Sequence, residues 1–253
     1  MQPKKVMLVF GTRPEAIKMA PLYHALRQNA DLFETQLCVT AQHREMLDQV
    51  LKVFDLTPDI DLNLMKQGQD LFDVTAGVLL GMRDVLRIHK PDALLVHGDT
   101  TTTLASAMSA FYLGVPVGHV EAGLRTHDVQ APFPEEFNRQ VASKVTRWHF
   151  APTEFSRQNL LAERVSPDRV TVTGNTVIDA LLWVLGRIEA DTRRREAVSD
   201  FLTAQLGFDW RNQRFVLMTG HRRENFGDGF LQICHALKDL AARYPDVRFV
   251  YPV

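Results

Sequence analysis

The sequence predicts an α/β protein, a parallel sheet with helices on both faces, arranged as two Rossmann-like domains. Three observations carry this expectation. Apolar runs and amphipathic stretches alternate from end to end. Several of the runs are continuous Val/Leu/Phe segments without polar alternation, as expected of parallel strands buried on both faces. Between them, apolar residues recur at helical spacing. The strand candidates, in order, are residues 6–10, 35–40, 93–96, 115–120, 148–151, 169–173, 215–219 and 248–253. Leu71, Val74, Val78, Met82 and Val85 mark one helix, and Ile233, Leu237, Leu240 and Tyr244 another. Thr153 is placed to cap the helix that follows Pro152. The first six strands complete one domain, residues 1–173, and a boundary is expected near Gly174-Asn175. Residues 174–253 then give an amphipathic helix from Val177, a charged stretch around Arg193 to Glu196, and a fresh strand–helix–strand. Two strands do not complete a Rossmann-like domain, so the second domain is expected to be truncated in this chain.

Composition narrows the function. With 253 residues, 45% hydrophobic and 23% charged, the chain is of ordinary globular type, which excludes disordered, fibrous and coiled-coil classes. Lys and Arg total 29 against 30 Asp and Glu. No basic footprint argues for nucleic acid or a membrane surface, so any anionic ligand must be held by a few placed cations. Residues 100–120 lack Asp, Glu, Lys and Arg, yet only 11 of those 21 are apolar, too few for a membrane span. Cys38 and Cys234 lie 196 positions apart with no Cys/His metal spacing. That pattern gives no metal site and fits a reducing, cytoplasmic setting.

The unusual residues gather after strands, where open α/β sheets bind their ligands. After the first strand comes Gly11-Thr12-Arg13-Pro14-Glu15, with Lys18 in the following helix. Gly11 permits a tight turn, Pro14 suits a helix start, and Arg13 with Lys18 would face an anion at a helix N-terminus. A solvated turn with a capping pair is the plainer alternative. After residues 93–96 comes His97-Gly98-Asp99 and four threonines, which offer hydroxyls and backbone N–H groups, with Asp99 either a base or an N-cap. After residues 115–120 comes Glu121, with Arg125 as its simplest partner. The segment 132–139 adds Glu135, Glu136 and Arg139 at a helix start, where acidic residues ordinarily serve the helix dipole. Asp99, Glu121 and Glu135 on one rim make a carboxylate cluster suited to proton transfer. His221 opens a cationic run after residues 215–219, in position for anion contact. There is no GxGxxG after a strand, no GxxxxGK[ST], no HExxH and no GxSxG, so dinucleotide, P-loop, zinc-protease and hydrolase-elbow readings lose support.

Seven segments together resemble the bacterial non-hydrolysing UDP-N-acetylglucosamine 2-epimerases: FGTRPEAIKMAPL (10–22), TAQHREMLDQV (40–50), HGDTTTTL (97–104), HVEAGLR (119–125), FPEEFN (133–138), TGNTVIDAL (173–181) and GHRRENF (220–226). They run in family order across almost the whole chain. The resemblance implies a glycosyltransferase-B-like pair of domains with the active site between them, and a cytoplasmic homodimer without a cofactor. The implied reaction interconverts UDP-N-acetylglucosamine and UDP-N-acetylmannosamine through a 2-acetamidoglucal, for surface polysaccharides such as enterobacterial common antigen. It implies catalytic Asp99, Glu121, Glu135 and His221, and substrate contacts from Arg13, Lys18, Asp99, Glu121, Arg139 and His221. His127 stands where the family usually has Gly, and Phe137 replaces a smaller side chain. Glu45 and Gly68 differ from the Gln and Arg of the regulatory site found near Gln42 in some members, so substrate control there is not expected. A glycosyltransferase of the same architecture, or an inactive sugar-nucleotide-binding fragment, are the competing readings.

Overall fold

The computed structural model describes residues 2–41, 44–219 and 228–252, without the side chains of residues 44 and 228. They form two compact units, residues 1–185 and 186–253.

The first unit is built on seven parallel strands in the order β3-β2-β1-β4-β5-β6-β7. These are β1 (Lys4–Phe10), β2 (Phe33–Val39), β3 (Ile60–Asp61), β4 (Ala93–His97), β5 (Val117–Val120), β6 (Trp148–Ala151) and β7 (Val170–Val172). Six were expected from their apolar runs. The two-residue β3 carries no such run and only extends the edge beside Cys38 and Val39.

Alternate residues of β1 serve opposite faces. Val6, Leu8 and Phe10 pack with Met19, Tyr23, Leu47 and Leu51, from α1 (Arg13–Gln28) and α2 (Arg44–Val53). Met7 and Val9 pack with Val78, Met82, Ala107 and Ala110, from α3 (Leu71–His89) and α4 (Thr101–Tyr112). Helices α5 (Glu135–Val145) and α6 (Glu154–Ala162) follow; Leu160 of α6 packs with Ala151 and Val170. Thr153 caps α6 as expected, accepting from the Ser156 amide at 3.1 Å. The strand order reverses direction between β1 and β4. This is the switch point beside which doubly wound sheets place their ligands.

Helix α7 (Thr176–Ala190) begins in the first unit. Its Trp183 stacks on Phe54 and His24 with ring centroids 5.0 and 5.1 Å apart, and Ala180 is buried in the same core. The compact first unit therefore takes in residues beyond Gly174. In the second unit, α8 (Thr192–Leu206) absorbs the charged stretch 193–196 into a helix capped by Asp191 and ended by Gly207 at φ +66°. Beyond it β8 (Phe215–Leu217) pairs in parallel with β9 (Arg248–Val250), and α9 (Asp228–Arg243) lies between them in sequence. Among the described residues, no helix is long and apolar enough to cross a membrane.

Candidate active site

The loops leaving β1, β4 and β5 meet at the switch point, and a buried carboxylate ties the first two together. Glu15 is 2% exposed. One of its oxygens accepts from the amides of Gly11 and Thr12 at 3.1 and 2.9 Å and from the Thr12 hydroxyl at 2.8 Å. The other accepts from the hydroxyls of Thr100 and Thr103 at 2.7 and 3.3 Å. Burial pushes its proton affinity up, and the hydrogen bonds from Thr100, Thr12 and Gly11 pull it back only in part. The Gly11–Glu15 turn is thus a buried brace and not a solvated cap. It also accounts for the threonine run. Thr101, Thr102 and Thr103 are buried in the first turn of α4; the Thr102 hydroxyl meets Thr40 at 3.1 Å, and Thr103 also donates to the His97 carbonyl. The expectation that the run offers its hydroxyls to a ligand is corrected for Thr100, Thr102 and Thr103. Buried hydroxyls need internal partners, and Glu15 supplies them for Thr100 and Thr103, and Thr40 for Thr102.

Thr100 is the N-cap of α4, accepting from the Thr103 amide at 3.1 Å, so Asp99 is released from capping. Asp99 instead accepts from Arg139 Nη1 at 2.7 Å, while its backbone carbonyl receives Asn138 Nδ2 at 2.8 Å. Burial drives the Asp99 carboxyl above its ordinary range; Arg139 opposes this, and the charges of Glu121 and Glu135 reinforce it. Arg139 is 7% exposed and is held from behind by Glu136 at 3.0 Å. Glu136 in turn accepts from the His127 amide at 3.1 Å and Gln140 at 2.9 Å. Of the two acidic residues opening α5, Glu136 is a structural anchor. Glu135 is half-buried and has no hydrogen bond or ion pair among the described residues.

Glu121 takes φ +64°, a left-handed backbone that glutamate seldom adopts. Strain of this kind at the end of a buried strand is a common mark of a functional position. Its side chain, 9% exposed, accepts from Lys18 Nζ at 2.8 and 2.6 Å and from Asn175 Nδ2 at 3.1 Å. Arg125 is not its partner. Arg125 reaches the other way to Glu163, at 2.6 and 3.0 Å, because Gly123, at φ +89°, turns the chain against α6. A Cβ at Gly123 would sit 2.3 Å from the Ser156 carbonyl oxygen. Asn175, which sequence reasoning passed over, was discoverable only as the residue beside the Gly174 turn. Two buried histidines complete the floor. His119 Nε2 donates to the Gly98 carbonyl at 2.7 Å, and His97 Nε2 lies 3.9 Å from Glu121.

The structure thus brings Lys18, Asp99, Glu121, Glu135 and Arg139 to one rim. Arg13 is exposed in the first turn of α1, without a partner among the described residues. His221 lies outside the described residues, as does Gln42. A cavity of about 740 Å³ along the sheet, lined by Leu22, Leu26, Phe33, Leu95, Trp148 and Phe150 among others, contains none of these carboxylates.

Residues 24–253 match the family model described as UDP-N-acetylglucosamine 2-epimerase. The chain belongs to that family. It is 56% identical over 250 residues to the UDP-N-acetylglucosamine 2-epimerase of Escherichia coli O157:H7, covering 98% of this chain and 65% of that one. The Campylobacter jejuni enzyme of the same name is 49% identical over 253 residues, with 99% and 65% covered. Among solved structures, the Neisseria meningitidis UDP-GlcNAc 2-epimerase bound to UDP-GlcNAc superposes with a TM-score of 0.88 at 48% identity, over 98% of this chain and 65% of that chain. The chain therefore spans about 65% of the length of these curated relatives. The glycosyltransferase-B-like α/β fold follows from these neighbours. His127, where a glycine was expected of the family, stands at φ +66°, a backbone conformation that glycine adopts freely.

Proposed function

We propose that this protein inverts C2 of UDP-N-acetylglucosamine, giving UDP-N-acetylmannosamine by elimination and re-addition of UDP. No carbonyl activates the C2 proton of the substrate. A base must take it while the C1–oxygen bond to the diphosphate breaks. The C–H electron pair becomes the C1=C2 bond of a 2-acetamidoglucal, and UDP departs with the C–O pair. Return of UDP to C1, with a proton delivered to the opposite face of C2, completes the inversion. The route requires cations near the diphosphate and carboxylates of differing proton affinity near C2.

The carrying observation is the rim itself. Asp99, Glu121 and Glu135 lie close enough for the charges of the latter two to raise the Asp99 proton affinity, and each of the first two has its own cation, Arg139 or Lys18. A carboxyl whose proton affinity burial raises, as at Asp99, is a usual basis for dividing acid from base. Asp99, Glu121 and Glu135 then exchange the protons, Arg139 sets Asp99, and Arg13, Lys18 and His221 serve the nucleotide. On this reading residues 174–253 begin a second, nucleotide-binding domain after a first domain of residues 1–173. The protein works as a cytoplasmic homodimer supplying surface polysaccharide synthesis of the enterobacterial common antigen type. No cofactor enters the scheme.

The test is incubation of the protein, at the length of its relatives, with UDP-N-acetylglucosamine alone in deuterated water. Proton NMR should show UDP-N-acetylmannosamine carrying solvent deuterium at C2. Product that keeps the original hydrogen refutes the elimination. A requirement for an acceptor sugar points instead to a glycosyltransferase, and binding without turnover to a sugar-nucleotide-binding protein.

A further inference from the structure

His97 ends β4, its Nε2 3.9 Å from the Glu121 carboxylate. It is 3% exposed, and neither ring nitrogen has a hydrogen-bond partner among the described residues. Unsatisfied buried polar atoms are costly, and in a native protein they call for an explanation. Burial, with Lys18 and His119 nearby, holds the ring neutral, its pKa brought down to about 3. A neutral imidazole has one N–H to give. The group facing Nε2 is a carboxylate oxygen of Glu121, an acceptor, at 3.9 Å. A hydrogen bond needs that separation to close to about 3.2 Å or less.

Glu121 meanwhile is held by Lys18, whose ammonium donates to both carboxylate oxygens at 2.8 and 2.6 Å. Lys18 sits on a flexible four-carbon stem with its side chain 24% exposed. A diphosphate arriving at the α1 N-terminus competes for the same ammonium. If Lys18 turns to that anion, Glu121 keeps Asn175 and loses its two shortest hydrogen bonds.

We propose that His97 is a positioning residue for Glu121: its neutral Nε2–H takes over the Glu121 carboxylate when Lys18 engages the anionic ligand. The exchange replaces a cationic partner with a neutral one. It keeps the carboxylate aimed after the ammonium has left it. The inference rests on the proton-transfer role given above to Glu121.

Two measurements test it, one of them independent of turnover. In wild-type chain with ¹⁵N-labelled histidine at pH 7, His97 should be the Nε2-protonated tautomer. In Lys18→Met, which removes the competing cation, that N–H proton should move downfield as it bonds Glu121. An Nδ1-protonated His97, or a resonance unmoved in Lys18→Met, overturns the proposal whether or not the protein is an epimerase. In the epimerase assay, wild-type turnover tests the proposed function separately. His97→Leu should lower kcat about tenfold or more with KM changed less than about threefold, while His97→Gln, which retains an N–H, should recover most of the loss. Turnover by His97→Leu within twofold of wild type, or equal damage in a well-folded His97→Gln, also overturns it.

Discussion

Three buried histidines make the first unit acid-sensitive in a defined window. His97, His119 and His149 are between 1% and 3% exposed. Burial is the largest cause in each case, and it lowers their pKa values from 6.5 to about 3, 4 and 4. A folded pKa below the unfolded one means that stability is present above pH ~6.5 and drains as the pH falls, because only the unfolded chain takes up the proton. Between pH 7 and 5 an unfolded imidazole becomes almost fully protonated while these remain almost wholly neutral. The linkage amounts to about 2 kcal/mol per ring, or about 6 kcal/mol for three. Asp99 and Glu15 act in the opposite sense, since their raised carboxyls favour the folded state as the pH drops. Glu136 and Glu163 carry lowered values, so their contribution is lost only below pH ~4.5, outside the window. The histidine loss of about 6 kcal/mol from pH 7 to 5, offset in part by Asp99 and Glu15, is large against a total of about 5–15 kcal/mol for an ordinary domain. Amide exchange at Gly98 and Leu94, which bond the carbonyls of Val120 and Pro116, reads it after correction for intrinsic rates. His149→Gln, away from the rim, should reduce the loss by about 2 kcal/mol. A wild-type change below about 1 kcal/mol would show that these rings are not buried neutral.

Asp99→Asn and Glu121→Gln should each lower turnover by about 10²–10⁴-fold with nucleotide affinity little changed; steady-state kinetics beside calorimetric UDP binding checks both, and a normal rate removes that residue from the mechanism. Gly123→Ala forces a Cβ to within 2.3 Å of the Ser156 carbonyl at φ +89° and should cost more than about 2 kcal/mol; an unchanged thermal midpoint contradicts it. Among the described residues, the second unit has a two-stranded sheet whose Phe215, Val216 and Leu217 are 39%, 43% and 60% exposed. Two-stranded sheets are marginal, so in a polypeptide of residues 1–253 alone the amides of β8 and β9 should exchange at least about tenfold faster than those of β1 and β4; equal protection would refute this.

The fold was legible wherever a strand is covered on both faces. Residues 6–10 and 93–96 read as strands because every position is apolar, and the structure buries Met7, Leu8, Val9, Leu94 and Val96 almost completely. The edge strand β3 was not legible, since two residues paired on one side need no apolar run. Helix α8 was hidden for a related reason. Its first turn is a run of arginines, and its stability comes from the Asp191 cap and the Gly207 stop, signals that a search for apolar periodicity does not weigh.

At the rim, the types of the acidic residues and their places after strands were legible, but their pairings were not. Sequence proximity offered Arg125 to Glu121. The chain gave it Lys18, 103 positions away, because β1 and β5 flank β4 in the sheet and the turns leaving them converge. The same convergence explains Glu15. In sequence it is a capping residue three positions after Thr12; in space it is also the acceptor for hydroxyls 85 and 88 positions away. A glutamate serving two loops at once fixes their separation, and with it the spacing of Lys18 from Asp99. The proposed chemistry at Asp99 and Glu121 therefore depends on a carboxylate that transfers no proton itself, and whose burial is what forces the two loops to share it.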